Sequence, residues 1–180
     1  VPNASFTNFP GGSTAITGWT IVGVDSAVVD SDFTQSGITF QAQDGQQWVD
    51  LAGVTSNSSS SGVTQNIPTT PGQEYLISFY VGSATDNHFF FPTTVDLSIN
   101  GGPRVPFLNP IAPANMLNWQ QFLVPFVAMS STTNLTFYNG GTSSNFLNAL
   151  DNVSVDAVPE PSAVALLLTA AIFAPLRRAR

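Results

Sequence analysis

Residues 75–81 read YLISFYV, and this stretch decides the fold class. Its odd-numbered positions carry tyrosine, isoleucine, phenylalanine and valine, so large apolar side chains recur with a period of two. Successive side chains of a β-strand point to opposite faces, and this period therefore predicts a strand with one buried face. Residues 95–100, VDLSIN, repeat the pattern with polar residues between the apolar ones.

The pattern continues in both directions along the chain. We predict further strands at residues 19–24, 37–43, 46–51, 62–67, 119–128, 134–138 and 150–155. Turn-forming dipeptides separate several of them, such as Pro-Gly at 71–72 and Asn-Gly at 100–101 and 139–140. No helical period occurs before residue 160. The sequence therefore predicts an all-β domain over residues 1–157, built as an antiparallel β-sandwich of the jelly-roll type.

Charge is sparse and one-sided. The 180 residues include 11 acidic side chains and four basic ones, and three of the basic ones lie in the last four residues. Within residues 1–161, Arg104 is therefore the single basic residue, whereas all of the acidic residues lie in this range. Contacts from Lys and Arg to phosphates supply most of the affinity for nucleic acid, so we expect no nucleic-acid partner. The same balance argues against attachment of the body to anionic membranes.

The inventory of catalytic residues is poor. The chain has one histidine, His88, and no Gly-x-Ser-x-Gly sequence to present a serine nucleophile. It has no cysteine and no lysine, which excludes thiol, zinc-thiolate and Schiff-base chemistry. Glu74 and Glu160 are the only glutamates, so the carboxyl pair of a glycoside hydrolase would have to come from aspartates. We expect a noncatalytic protein.

The composition changes abruptly at the C-terminal end. Residues 158–180 read VPEPSAVALLLTAAIFAPLRRAR. As a helix, the apolar stretch 163–176 would be about 21 Å long at ~1.5 Å per residue, against about 30 Å for the hydrocarbon core of a bilayer. It is a marginal transmembrane helix, and its arginines would keep the C-terminus on the cytoplasmic side.

This tail closely resembles the PEP-CTERM sorting signal of Gram-negative bacteria that make extracellular polysaccharide. The resemblance rests on a Pro-Glu-Pro motif, an apolar helix and a basic end, which here are Val158, Pro159, Glu160 and Pro161 followed by Arg177, Arg178 and Arg180. It implies export, with an exosortase as the enzyme that handles and removes the tail. An ordinary C-terminal anchor helix is the alternative. In either case we expect Val1 to be a mature N-terminus left after removal of an export signal.

The body resembles a second family in several phrases that occur in order. They are NASF at 3–6, GWT at 18–20, DGQQWVDLAG at 44–53, GVTQ at 62–65, TTPGQEY at 69–75 and LDNVSV at 150–155. Together they resemble the choice-of-anchor C domains found before PEP-CTERM tails, which are similar to a plant cell-wall domain family with a galactose-binding-like jelly roll. The resemblance implies a noncatalytic module associated with cell walls or extracellular polysaccharide.

Some relatives with this jelly roll hold a structural calcium ion. The resemblance places one ligand just after the first phenylalanine, where this chain has Thr7, and another at Asp151 in the closing strand. Because calcium takes six to eight oxygen ligands, Asp151 alone makes a weak candidate for this cofactor.

Carbohydrate recognition combines flat aromatic faces with hydrogen-bonding side chains. The candidate residues are Trp48, Asp86, His88, Phe89, Phe90 and Tyr138. Trp48 could instead be a core residue, and Phe89 and Phe90 could anchor a loop. Trp19 and Trp119 are expected to be core anchors.

Two functions follow from these observations. The first is a noncatalytic protein of the cell surface or extracellular matrix that binds polysaccharide and is sorted by an exosortase. The alternative is a structural or adhesive protein of the biofilm matrix that associates with further copies of itself and has no specific sugar site.

Overall fold

The structure is a computed structural model of the chain. It describes residue 16 and residues 18–23, 26–35, 37–53, 57–85, 93–111, 116–141 and 147–159. Within these residues the secondary structure is entirely β, as the period of two predicted. No helix in this part of the chain has the length and hydropathy needed to cross a bilayer. The predicted hydrophobic helix at 163–176 lies outside the described residues.

The described residues form twelve strands. In chain order they are β1 (Thr20–Val22), β2 (Ala27–Asp30), β3 (Thr34–Gln35), β4 (Ile38–Thr39), β5 (Gln47–Asp50), β6 (Gly62–Pro68), β7 (Glu74–Ser83), β8 (Thr93–Ile99), β9 (Val105–Asn109), β10 (Asn118–Val127), β11 (Thr132–Asn139) and β12 (Ala149–Ala157). The segments 27–30, 34–35 and 105–109 were not predicted. The predicted strand at 37–43 is limited to β4, which pairs with β3 and forms one isolated parallel bridge, from Thr39 to Met116.

Two five-stranded antiparallel sheets contain ten of these strands. Sheet I has the order β1-β6-β11-β8-β9, and sheet II has the order β10-β7-β12-β5-β2. Consecutive strands from β5 to β8 alternate between the two sheets, as do those from β9 to β12. The eight strands β5 to β12 thus interleave in the order of a jelly roll, which confirms the predicted antiparallel sandwich.

The core lies between the sheets. The odd-numbered residues of β7 supply Ile77, Phe79 and Val81, which are fully buried and pack against residues of sheet I such as Leu135 and Phe137. The rings of Phe79 and Phe137 meet edge to face at 5.0 Å between centroids. The even-numbered residues of β7 must then lie on the outer face of sheet II, and this face carries the candidate site.

Candidate functional site

A second apolar cluster lies on the outer face of sheet II. Its buried members include Trp48 and Phe40, and the half-buried ring of Trp119 packs against them. The indole N–H of Trp48 donates to the backbone carbonyl of Phe40 at 2.9 Å, and that of Trp119 donates to the carbonyl of Gln41 at 3.0 Å. Residues 40–44, the covering segment, are held in this way over one half of the outer face.

Asp151 fixes the far end of the covering segment to β12. Its side chain is buried, at 5% exposure, and Oδ2 accepts the backbone N–H groups of Gln43 at 2.8 Å and Asp44 at 3.1 Å. Oδ1 accepts the N–H of Asn152 at 2.7 Å. Burial raises the pKa of Asp151 to about 6, although these three hydrogen bonds lower it, and the nearby charge of Asp44 adds a smaller rise.

A β-bulge beside Asp151 shapes this contact. Asp151 lies opposite Tyr80 and Ser154 lies opposite Ser78, so β12 holds one more residue than β7 over this interval. Asn152 lies in the bulge and has a left-handed backbone conformation, with φ of 45°, which asparagine tolerates better than most residues. Its side-chain amide then donates to Oε1 of Gln43 at 2.7 Å. The bulge thus joins β12 to the covering segment a second time.

The remaining half of the outer face of sheet II is open, and we call it the open face. The register of β10, β7 and β12 places its residues in rows, namely Gln121, Tyr80 and Asp151, then Leu123, Ser78 and Ser154, then Pro125, Leu76 and Asp156, and finally Val127 and Glu74. At ~3.4 Å per residue and ~4.8 Å between strands, the face is about 20 Å long and about 10 Å wide.

The open face is amphipathic. Leu123 and Val127, in the middle and at the end of β10, are 56% and 54% exposed. Gln121 is exposed next to the half-buried ring of Tyr80, and its amide donates to the hydroxyl of Ser78 at 2.8 Å. A flat apolar floor bordered by amide, hydroxyl and carboxylate groups suits a ligand that is apolar on its ring faces and hydroxylated at its edges.

Of the two interpretations that the sequence leaves open for Trp48, the core residue is right and the sugar platform is wrong. Its side chain does point away from the main core, but the covering segment lies over it and leaves it 1% exposed. Trp48 is therefore a core residue of the second cluster. Trp19 and Trp119 also pack against the two apolar clusters, as predicted.

Tyr138 lies on the other side of the sandwich from the open face. It is half-buried in β11 of sheet I, and the guanidinium of Arg104 lies 3.5 Å from its ring centroid. Arg104 also donates to the carbonyl of Ser59 at 2.6 Å. One face of the Tyr138 ring is therefore occupied, and Tyr138 does not join Tyr80 in a single site.

Several predicted residues lie outside the described residues. These are the sugar-binding candidates Asp86, His88, Phe89 and Phe90, together with Glu160, Pro161, Arg177, Arg178 and Arg180 of the sorting signal. Of that signal, Val158 and Pro159 are described and follow directly on β12. The N–H of Val158 donates to the carbonyl of Glu74 at 2.9 Å, and its carbonyl accepts from the Gln73 amide at 2.7 Å.

The surroundings of Asp151 do not fit a calcium ion. Its carboxylate is surrounded by three N–H donors, which stabilise an anion and repel a cation. Within the described ranges no three His, Cys, Asp or Glu side chains lie close enough together to hold a metal. Thr7 lies outside the described residues, so calcium stays a prediction that the described residues do not support.

Sequence reasoning missed Tyr80, Gln121 and Leu123 as surface residues of interest. The available signal was the strand 75–81, in which Tyr80 has the opposite parity to Phe79 and must face outward. The same parity rule applied to 119–128 would have placed Gln121 and Leu123 on one outer face.

Comparison with known proteins identifies a family and a fold. The model of the family described as "Protein of unknown function (DUF642)" matches residues 2–156. A search of curated proteins finds no significant match.

Three solved structures are similar to this chain. The CBM22-1 xylan-binding domain of Paenibacillus barcinonensis Xyn10C is 17% identical, with a TM-score of 0.51 and coverage of 83% of this chain and 90% of that one. The CBM22-1-GH10 modules of Clostridium thermocellum Xyn10B are 15% identical, with a TM-score of 0.51 and coverage of 79% and 26%. The exo-β-1,3-galactanase of Phanerochaete chrysosporium is 22% identical, with a TM-score of 0.49 and coverage of 77% and 27%.

The chain thus spans between a quarter and a third of the galactanase chains that it matches. At such identities, the two likenesses to CBM22-1 structures show a shared β-sandwich fold.

Proposed function

The chain belongs to the DUF642 family, and we propose that its β-sandwich is a noncatalytic module that binds extracellular polysaccharide through the open face. The observation that carries this proposal is the first row of that face. There the ring of Tyr80 lies between the exposed amide of Gln121 and the Asp151 anchor of the covering segment. An aromatic ring of this kind offers stacking to a sugar ring, while the amide offers hydrogen bonds to its hydroxyls.

The length of the open face supports a chain-like ligand. From the row of Tyr80, the open face continues for about 20 Å through Leu123 and Leu76 to Val127, and Leu123 and Val127 are exposed along it. Small molecules usually bind in deep pockets that bury most of their surface. An open strip of this kind is suited to several consecutive sugar units of a polymer.

The fold adds support by analogy. The xylan-binding domain of Paenibacillus barcinonensis Xyn10C has the same β-sandwich fold, and its name states that it binds xylan. Fold alone does not determine function, so the residues of the open face, and not the fold likeness, are the main support for polysaccharide binding.

Affinity electrophoresis through gels that contain single polysaccharides tests the proposal. We expect the full chain to be retarded by at least one polymer of a panel of xylan, β-galactan, galactomannan and β-glucan. Tyr80→Ala should abolish the retardation, and Tyr138→Ala on sheet I is the matched control that should retain it. Unretarded migration of the parent chain in every gel would reject polysaccharide binding.

We further propose that residues 158–180 are a PEP-CTERM sorting signal that brings the module to the cell surface or extracellular matrix of a Gram-negative bacterium. Support comes from the order of motif, apolar stretch and arginines in the sequence. The point at which the motif begins also fits, because Val158 is still hydrogen-bonded to β7 whereas Pro159 is exposed. The two prolines of the motif bias the residues before them toward extended backbone, which suits recognition by a processing enzyme such as an exosortase.

Self-association is the second candidate function. A specific observation favours it, because Val105, Leu108 and Ile111 are exposed on and just after the edge strand β9. Exposed apolar side chains on an edge strand favour contact with another chain. Light scattering over a range of concentrations would detect self-association of the parent chain. The double variant Val105→Ser with Leu108→Ser should abolish this association and leave sugar binding at the open face unchanged.

A further inference from the structure

We propose that the open face selects uncharged polysaccharide segments and rejects segments that carry uronate or other carboxylate groups. This inference rests on the proposed function of that face and specifies the class of its ligand.

The charged groups of the open face are all acidic. Asp156 is exposed opposite Leu76, and Glu74 is exposed opposite Val127 in the last row. Asp44 is exposed at the end of the covering segment, beside Asp151. A polymer lying along the floor would therefore pass carboxylates at both ends of the strip.

No described basic side chain offsets them. Arg104 is the basic residue of the described ranges, and it lies on sheet I over the ring of Tyr138. Its guanidinium is further engaged by the carbonyl of Ser59. A carboxylated sugar bound at the open face would thus meet like charge and have no partner for its own carboxylate.

The neutral groups of the face point to the same ligand class. Gln121, Ser78 and Ser154 offer amide and hydroxyl groups, which pair with sugar hydroxyls and require no counter-charge. The apolar side chains of Leu123 and Leu76 contact a ring through its C–H face. Every contact type that the face offers is one that a neutral, hydroxylated polymer can use.

The magnitude of the discrimination follows from surface electrostatics. Exposed charges a few ångströms apart interact weakly, and the interaction is screened over about 10 Å at moderate ionic strength. We therefore expect carboxylation of a ligand to weaken binding roughly fivefold at low ionic strength, and the difference to shrink as salt is added.

A matched pair of polymers tests this inference. The neutral polymer that retards the chain is compared with the same polymer after partial conversion to a carboxylated form, by oxidation of the primary hydroxyls of galactan, galactomannan or β-glucan, or by carboxymethylation of xylan, which has no primary hydroxyls. Dissociation constants of the full chain for both forms are measured at low and at high ionic strength. Weaker binding of the oxidised form at low salt, with a smaller difference at high salt, is the expected result.

Two variants assign the effect to the open face. The double variant Glu74→Gln with Asp156→Asn should bring the ratio of the two dissociation constants closer to one. Asp32→Asn removes an exposed carboxylate beyond β2, at the opposite edge of sheet II, and should leave the ratio as it is.

The outcomes separate the inference from the proposed function. Equal or tighter binding of the oxidised polymer would overturn neutral selection while leaving polysaccharide binding intact. Binding of oxidised polymers alone would also overturn it. If neither form of any polymer binds, the proposed function fails, and the inference fails with it.

Discussion

Oδ2 of Asp151 accepts the backbone N–H of Gln43 at 2.8 Å, so the closing strand β12 holds a segment that lies 108 residues earlier in the chain. This contact separates the covered half of sheet II from its open half. It is made by a buried carboxylate with a raised pKa, and both the stability of the fold and the shape of the open face depend on it.

The raised pKa of Asp151 predicts how stability changes with pH. Burial, partly opposed by three hydrogen bonds, moves the pKa from 3.8 to about 6 in the folded protein. Between these values the folded state binds more protons than the unfolded state, so the contribution of this group is fully present below about pH 3.8 and is lost as the pH rises through about 6. Over the whole interval it amounts to something of the order of 3 kcal/mol.

Thermal unfolding of the parent chain and of Asp151→Asn at a series of pH values measures this contribution. The variant cannot titrate, so the difference in unfolding free energy between the two proteins should change between about pH 4 and pH 6 and then level off. A difference that is constant over this interval would show that Asp151 titrates normally. Asp44→Asn serves as a second check, because it removes a charge that raises the pKa of Asp151 and should move the transition to lower pH.

Trp48 should matter for stability and not for binding. Replacement by phenylalanine leaves the carbonyl of Phe40 without the indole N–H and loses buried volume. We expect a loss of about 1–3 kcal/mol in urea unfolding. The folded variant should still be retarded by polysaccharide. Loss of binding at full stability would instead mean that the indole contacts the ligand.

Gly82 should not tolerate a side chain. A Cβ at this position would come within 2.8 Å of Cζ3 of Trp119 and of the Ala149 Cβ, because the indole lies directly over the glycine. Gly82→Ala should therefore displace Trp119, cost about 1–3 kcal/mol and change the tryptophan fluorescence. At Gly102 an added Cβ meets only the carbonyl oxygen of Ile99 within 4 Å, at 3.1 Å, so Gly102→Ala is the control. Equal effects of both substitutions would contradict this packing.

The sorting proposal predicts removal of the tail in cells. Mass spectrometry of the protein recovered from the surface of its native host should find a C-terminus near Pro161. Changing Glu160 to Ala should leave the tail attached, because the motif is then incomplete. Recovery of mature surface protein that ends at Arg180 would contradict exosortase processing.

The sequence predicted the sandwich because a period of two is a local property of each strand. It also placed Ile77 and Phe79 in the core. It did not predict the covering segment, in which alternation at 37–43 suggested a strand. In the structure, the backbone groups of this segment bond to side chains, since Phe40 and Gln41 accept indole N–H groups and Gln43 donates to Asp151. Two of these partners, Trp119 and Asp151, lie 78 and 108 residues away from the residues that they hold, so they leave no local signal.

The same reason explains why the sequence cannot decide between the two interpretations of Trp48. Alternation shows that its side chain and that of Val49 point in opposite directions, but not that both faces of β5 are buried. Conversely, the alternation along β7 is enough to predict that Tyr80 faces outward. That Tyr80 and Tyr138 lie in different sheets can be known only from the strand order. Which strands are neighbours, and which half of a face is covered, are decided by contacts between distant segments.

The most direct test of polysaccharide binding at the open face is to map amide chemical-shift changes while a neutral oligosaccharide such as xylohexaose or a β-galactan fragment is added to the isotope-labelled chain. The account predicts changes concentrated at Tyr80, Gln121, Leu123 and Asn152, and at the end of the covering segment. Changes confined to sheet I around Tyr138, with the open face unaffected, would contradict it.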